Sequence, residues 1–262
     1  MRIKIALSPR TIVRMLIIGV IFFTLVGAGI QICKYVFDYK DDWMMLFNLD
    51  RELNFPTWYS GLMLASCSFL LKIIAIGKQQ QNDRYTKDWQ LLSLIFLCLA
   101  IDEIVSLHEI FIIPEVSEAL NLPWFLHSAW VIPGMVFVAW FARRYSKFVR
   151  HLSPASRYRF ITAACIYIGG ALILEMVGSH FAESIGQIHI VYALITTAEE
   201  CSEMVGTVIF INALFNYLNQ WSNSLALQIE ILNPSQPDLK TDQANLLWRD
   251  RPLENSDHYG DR

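Results

Sequence analysis

Charge is scarce in this chain. Only 17% of its 262 residues are Asp, Glu, Lys or Arg, against 54% hydrophobic and 13% aromatic. Soluble domains carry about 25% charged residues, so a soluble globular protein is excluded. The net charge is −3 and no basic stripe is present. Nothing therefore follows a phosphate backbone, which excludes nucleic acid as a partner. No C-x-x-C pair occurs: Cys33, Cys67, Cys98, Cys165 and Cys201 fall singly in separate apolar stretches. That is the pattern of small core residues, neither a disulfide framework nor a zinc knuckle. A Gly-rich phosphate loop, an internal repeat and a heptad run are missing too.

Long apolar runs take their place. Six of them, near residues 12–34, 56–77, 89–113, 124–143, 158–181 and 187–218, suit a hydrocarbon core of ~30 Å, which takes ~20 helical residues to cross. The expectation is an all-α, polytopic membrane bundle of six transmembrane helices over residues 1–221. A polar, Pro/Asn/Asp-rich and mostly disordered tail follows over 222–262. The first run is too long for the apolar core of a signal peptide and is expected to remain as an anchor. With the N-terminus inside, only Lys34, Lys40 and Arg51 of the 21 basic residues fall on the outer side. The orientation expected is N-in and C-in, in a plasma (bacterial inner) membrane. The first outer loop, 35–56, is amphipathic, with Trp43, Phe47 and Trp58 suited to the headgroup layer. It reads as an interfacial connector or as a lid.

Seven carboxylates interrupt these runs: Asp102, Glu103 and Glu109 in the third, Glu175 in the fifth, and Glu199, Glu200 and Glu203 in the sixth. No Lys or Arg stands near them in the chain, while His108, His127, His180 and His189 lie in or beside the same runs. An ionised side chain in hydrocarbon costs at least ~2.5–3.5 kcal/mol on insertion scales, so bound metal, protons or charged His must compensate. At ~100° per residue, His189, Thr196, Glu199, Glu200 and Glu203 share one face of the sixth helix. Glu175, Ser179 and Glu183 share one on the fifth, with His180 to one side. Asp102, Ser106 and Glu109 share one on the third, flanked by Glu103 and His108. The third helix is polar around so much of its circumference that it is expected to be the most buried.

A rise of ~1.5 Å per residue puts Asp102 and Glu103 roughly 15–18 Å below the outer surface, and Glu199 and Glu200 roughly 18–20 Å. Glu175 falls roughly 10 Å down, and the histidines are shallower. Three helices thus bring acids to matching depths, as a column that opens outward.

Such a column has three readings. Carboxylates with imidazoles suit zinc, iron or manganese, with Glu103, His108, Glu109, Glu175, His180, Glu200 and Glu203 as ligands. Asp102 and Glu199 would then be either hydrogen-bond partners of those ligands or proton carriers at the reacting centre. The protein would be a metal-dependent enzyme acting by hydrolysis or oxidation on a lipid or apolar substrate. A second reading is a proton or metal-cation pathway. The third is a structural acid cluster in a non-catalytic subunit or assembly factor, whose tail binds a membrane partner. The ligand types resemble those of carboxylate-bridged two-metal bundles and of alkaline-ceramidase-type intramembrane hydrolases. The Glu-x-x-His of the former and the His-x-x-x-His of the latter do not occur here.

Three strings, FNLDRELNFPTWYS at 47–60, LAIDEIVSLHE at 99–109 and AEECSEMVG at 198–206, resemble a family of uncharacterised bacterial multi-pass membrane proteins. Its signatures are Leu-Asp-x-Glu-x-Asn-x-Pro-Thr-Trp, Asp-Glu…His-Glu and Glu-Glu…Glu-Met. The resemblance spans about residues 40–215 and brings no activity with it. It implies that Asp50, Glu52, Asn54 and Trp58 belong with the acid column, with Asp50 and Glu52 capping it.

Overall fold

The computed structural model describes residues 8–107 and 130–220. These form seven α-helices and no strand: α1 Pro9–Val36, α2 Phe55–Gln80, α3 Thr86–Val105, α4 Val131–His151, α5 Pro154–Ile168, α6 Glu175–Ile185 and α7 Ile190–Asn219. A 3-10 turn, Asp42–Phe47, lies after α1, and a π-helical turn, Gly169–Leu174, joins α5 to α6. Four rods, α1, α2, the joined α5–α6 and α7, are long and apolar enough to cross a membrane. The chain thus reads as an all-helical membrane protein.

Among the described residues four such rods are present, and six spans were expected. The other two expected spans coincide in part with α3 and α4. Asp88, Asp102 and Glu103 interrupt the apolar length of α3, and Arg143, Arg144 and Lys147 that of α4. α3 ends at Val105: Ser106 adopts the left-handed conformation (φ 54°, ψ 46°) and its N–H bonds back to Asp102 O at 2.6 Å. His108, Glu109, His127 and the tail 222–262 lie outside the described residues.

Local chemistry sets the helix starts. Ser8 caps α1 by accepting from Thr11 N, with Pro9 in the first turn. Asn54 caps α2 by accepting from Thr57 N at 3.1 Å, ahead of Pro56. Ser153 caps α5 before Pro154. These are the residue types whose short polar side chains satisfy orphan N–H groups, with a proline that needs none.

α7 is the hub, packed against α1, α2, α5 and α6, while α3 lies along α2. Of the four apolar rods, α2 and α7 are the best buried. The third helix was expected to be the most buried and is not. α3 buries Trp89, Leu92, Ser93 and Ala100 but leaves Leu94, Leu97 and Ile101 exposed, because it packs along one side only. Two glycines bring α5 and α7 together. A Cβ on Gly206 would stand 2.7 Å from Tyr167 N, and one on Gly170 would stand 2.9 Å from Glu199 O.

At one end of the bundle, here the basic end, rings close the core. Trp89 meets Phe148, Phe160 and Tyr217, and Arg144 pairs with Asp88 across α3 and α4. The Tyr145 hydroxyl adds a bond to Asp88 O at 3.0 Å. Toward its other end α4 exposes Met135, Val136, Phe137 and Trp140 and leaves open volume between itself and the bundle.

Candidate functional site

That volume is a cavity of about 650 Å³ between α3, α4, α5 and α7. Its walls are apolar, with Leu92, Phe96, Phe137, Phe141, Phe160 and Phe210 among them. Asp102 and Glu103 reach it from the last turn of α3, and Glu175 from the first residue of α6. Glu199, Glu200 and Glu203 reach it from α7, and Glu52 from the loop after α1. Chain direction orders these groups. The acids come after the apolar wall residues on α3 and α5–α6 and before them on α7, so they share one end. Ser146, Arg150 and Arg157 line the opposite end. There Arg157 is committed to the carbonyls of Val149, Arg150 and Leu152.

Each acid has a local reason for its place. Residues i, i+1 and i+4 of a helix share a face, so Glu199, Glu200 and Glu203 turn one way. The Gly170 and Gly206 contacts hold that face against the π turn, with Glu203 Cγ and Ser202 Cβ each 3.1 Å from where a Gly170 Cβ would be. A π turn inserted in an α-helix is a frequent companion of functional sites.

The loop carrying Glu52 is pinned at several points. Asn54 Nδ2 donates to Asn48 O at 2.6 Å and to Arg51 O at 2.7 Å. The buried Gln31 side chain of α1 donates to Asn48 Oδ1. Leu49 seats where Gly27 has no Cβ, and Thr57 donates to Glu52 Oε2 at 3.5 Å.

The carboxyl groups act on one another. Glu200 feels Glu103, Glu203, Glu52 and Glu175, while Glu199 feels Glu175, Glu203 and Glu200. Carboxyls this close repel one another unless a proton lies between them. The same closeness suits two carboxylates bridged by a cation. The Tyr167 hydroxyl stands within electrostatic reach of Glu203, Glu103 and Glu200.

Six of the nine expected site residues thus line one cavity: Asp102, Glu103, Glu175, Glu199, Glu200 and Glu203. His180 does not line it. It is exposed on α6 with its ring 5.5 Å from that of Phe181, next to the inward-facing Ser179. Glu183, near the end of α6, is exposed as well. His189 lies before α7 rather than on its polar face and caps that helix, its Nδ1 accepting from Val191 N at 3.2 Å. His108 and Glu109 lie outside the described residues. Among the described residues no group of three or more His, Cys, Asp and Glu side chains is arranged to hold a metal ion.

Tyr167 was not singled out from the sequence, where one tyrosine in an apolar run carries no signal. The resemblance to the membrane-protein family was the only pointer to Glu52.

A second hollow of about 480 Å³ adjoins this one. It is polar and lined by Lys34, Asp50, Arg51, Glu52, Gln187 and Tyr192, among others. Glu52 borders both. Tyr192 stands within electrostatic reach of Asp50 as well as of Glu175 and Glu199. Burial pushes the Asp50 carboxyl above the usual carboxylate range, and Lys34 and Arg51 pull it part of the way back.

A family model described as a domain of unknown function (DUF8692) matches residues 14–218. No curated protein and no solved structure matches the sequence.

Proposed function

This chain belongs to the DUF8692 family, and we propose that it is a membrane enzyme acting on a lipid or other apolar molecule held in the acid-ended cavity. The observation that carries the reading is convergence: the loop, α3, α6 and α7 bring seven acids to one end of an otherwise apolar hollow. A cavity of about 300–1,000 Å³ that is apolar apart from a few convergent polar groups is the usual form of a small-molecule site. The walls beyond the acids offer Leu, Ile and Phe side chains, which suit an apolar guest better than a file of ions.

Carboxyls that repel one another in an apolar surround are stabilised by shared protons or by a cation. The reading takes a divalent metal as that cation, with Asp102 and Glu199 moving protons beside it. Glu103, Glu175, Glu200 and Glu203 would hold it only by closing in from the described arrangement, where they form no metal-holding group. A purely carboxylate donor set favours manganese or iron over zinc. Such a metal would activate water or oxygen.

The same reading places the chain in a bacterial inner membrane with six crossings, N-in and C-in, α3 and α4 supplying the two crossings beyond the apolar rods. Its support is the distribution of Lys and Arg and the ~30 Å length of the 20-residue α3. The acids then open to the outer face, and the tail 222–262 lies inside, free for a membrane-protein partner.

The test is conversion. Purified protein is incubated with a total bacterial lipid extract, and the lipids are compared by mass spectrometry against a Glu200→Gln preparation. One lipid class should change with the unaltered chain alone. Identical lipid profiles, with no lipid retained through purification, would refute the reading.

A further inference from the structure

The polar hollow above the acids has its own charge pattern. Lys34 and Arg51 bring positive charge and Asp50 and Glu52 negative charge to one concave surface. The Lys34 ammonium lies over the Tyr35 ring, 4.7 Å from its centroid, and Arg51 is exposed. Asn54 and Asn48 pin the loop backbone, so Asp50, Arg51 and Glu52 are presented from one tied stretch of chain beside Lys34. Glu52 borders both hollows, and Tyr192 lies between Asp50 and the Glu175–Glu199 pair.

We propose that the polar hollow is the headgroup site of a membrane amphiphile that carries both a phosphate and an ammonium group, and whose apolar chain lies in the 650 Å³ cavity. This rests on the cavity reading above and names its substrate class. A guanidinium and an ammonium are donors suited to phosphate, the guanidinium bidentately. Two carboxylates accept from a head-group ammonium. A purely anionic head would face Asp50 and Glu52, and a purely cationic one would face Lys34 and Arg51, so the mixture selects a dipolar head by repelling both alternatives. With head and chain so placed, the bonds joining them lie beside Glu52, Glu175 and Glu199.

The experiment measures binding rather than turnover and needs no metal. Full-length protein in mild detergent is treated with chelator and titrated with probes of one chain length, read by native mass spectrometry. The probes are lysophosphatidylethanolamine, lysophosphatidylglycerol and monoacylglycerol, together with chain-free glycerophosphoethanolamine.

Lysophosphatidylethanolamine should bind about tenfold tighter than either other chain-bearing probe, the scale of one hydrogen bond to a charged group. Arg51→Gln should erase its advantage over monoacylglycerol, and Asp50→Asn its advantage over lysophosphatidylglycerol. Arg51→Gln should keep the parent's unfolding midpoint, and Asp50→Asn should keep or raise it. Equal binding of all three chain-bearing probes would overturn the headgroup assignment and leave the cavity reading standing. Tight binding of the chain-free head would overturn it in favour of a soluble phosphoester. No binding of any chain-bearing probe would remove both.

Discussion

At the basic end of the bundle α3, α4, α5 and α7 meet through rings, and at the other end the loop after α1, α3, α6 and α7 bring carboxyl groups to open space. Trp89, Tyr145 and Phe148 are almost wholly buried and lock α4 onto α3, with Arg144 and Asp88 beside them. Further along, α4 has no comparable partner among the described residues, and the cavity lies there. The contrast separates two tasks. Apolar burial at the basic end supplies stability, because each large side chain there is removed from water. The acidic end repels itself and weakens the fold, a pattern expected where function requires it.

Substitutions that trade the two ends test this division. Trp89→Ala should be the most damaging, costing about 3–5 kcal/mol as a large buried ring is lost. Thermal unfolding in detergent should show a large drop in midpoint. Glu200→Gln should leave the midpoint unchanged or raise it while abolishing conversion of lipid; a large loss of stability would break the comparison.

Gly206→Ala probes the join between the ends. Its new methyl would meet the Tyr167 backbone, so about 1–3 kcal/mol of overpacking strain is expected. Because the α5–α7 contact also positions Glu199 and Glu203, lipid conversion should fall more than stability does.

Asn54→Ala removes a helix cap and the tie to Asn48 and Arg51. It should cost about 0.5–2 kcal/mol and free Glu52 from the cavity. The readout is faster amide exchange across 48–57 with exchange at the basic end unchanged.

The smallest effect is that of Asp50. Its folded-state carboxyl is held above the ordinary range, so the folded state keeps the proton longer than the unfolded one. Stability then falls as pH rises from the ordinary carboxylate range through the raised folded value. Asp50→Asn should flatten the midpoint-versus-pH curve there; a steeper curve would reverse the sign.

Much of the acid site was legible because helical spacing carries it. Glu199, Glu200 and Glu203 sit i, i+1 and i+4, and matching depth on antiparallel helices pointed to Glu103 and Glu175. The parts that stayed hidden depend on the backbone. Ser106 ends α3 in a left-handed conformation with neither glycine nor proline to announce it. The π turn at 169–174 reads in sequence as ordinary apolar helix. His180 follows Ser179 by one residue, and that ~100° step separates a buried side chain from an exposed one. Charged residues set α3 and α4 apart from the four apolar rods, a difference that a count of apolar runs alone does not register.

Elemental analysis of folded protein, purified in mild detergent without chelator, tests the central claim most directly. The account predicts manganese, iron or zinc in stoichiometric amount, reduced in Glu103→Ala, Glu175→Ala and Glu200→Ala and retained in Arg144→Ala at the basic end. A stable, folded preparation with no divalent metal would contradict it.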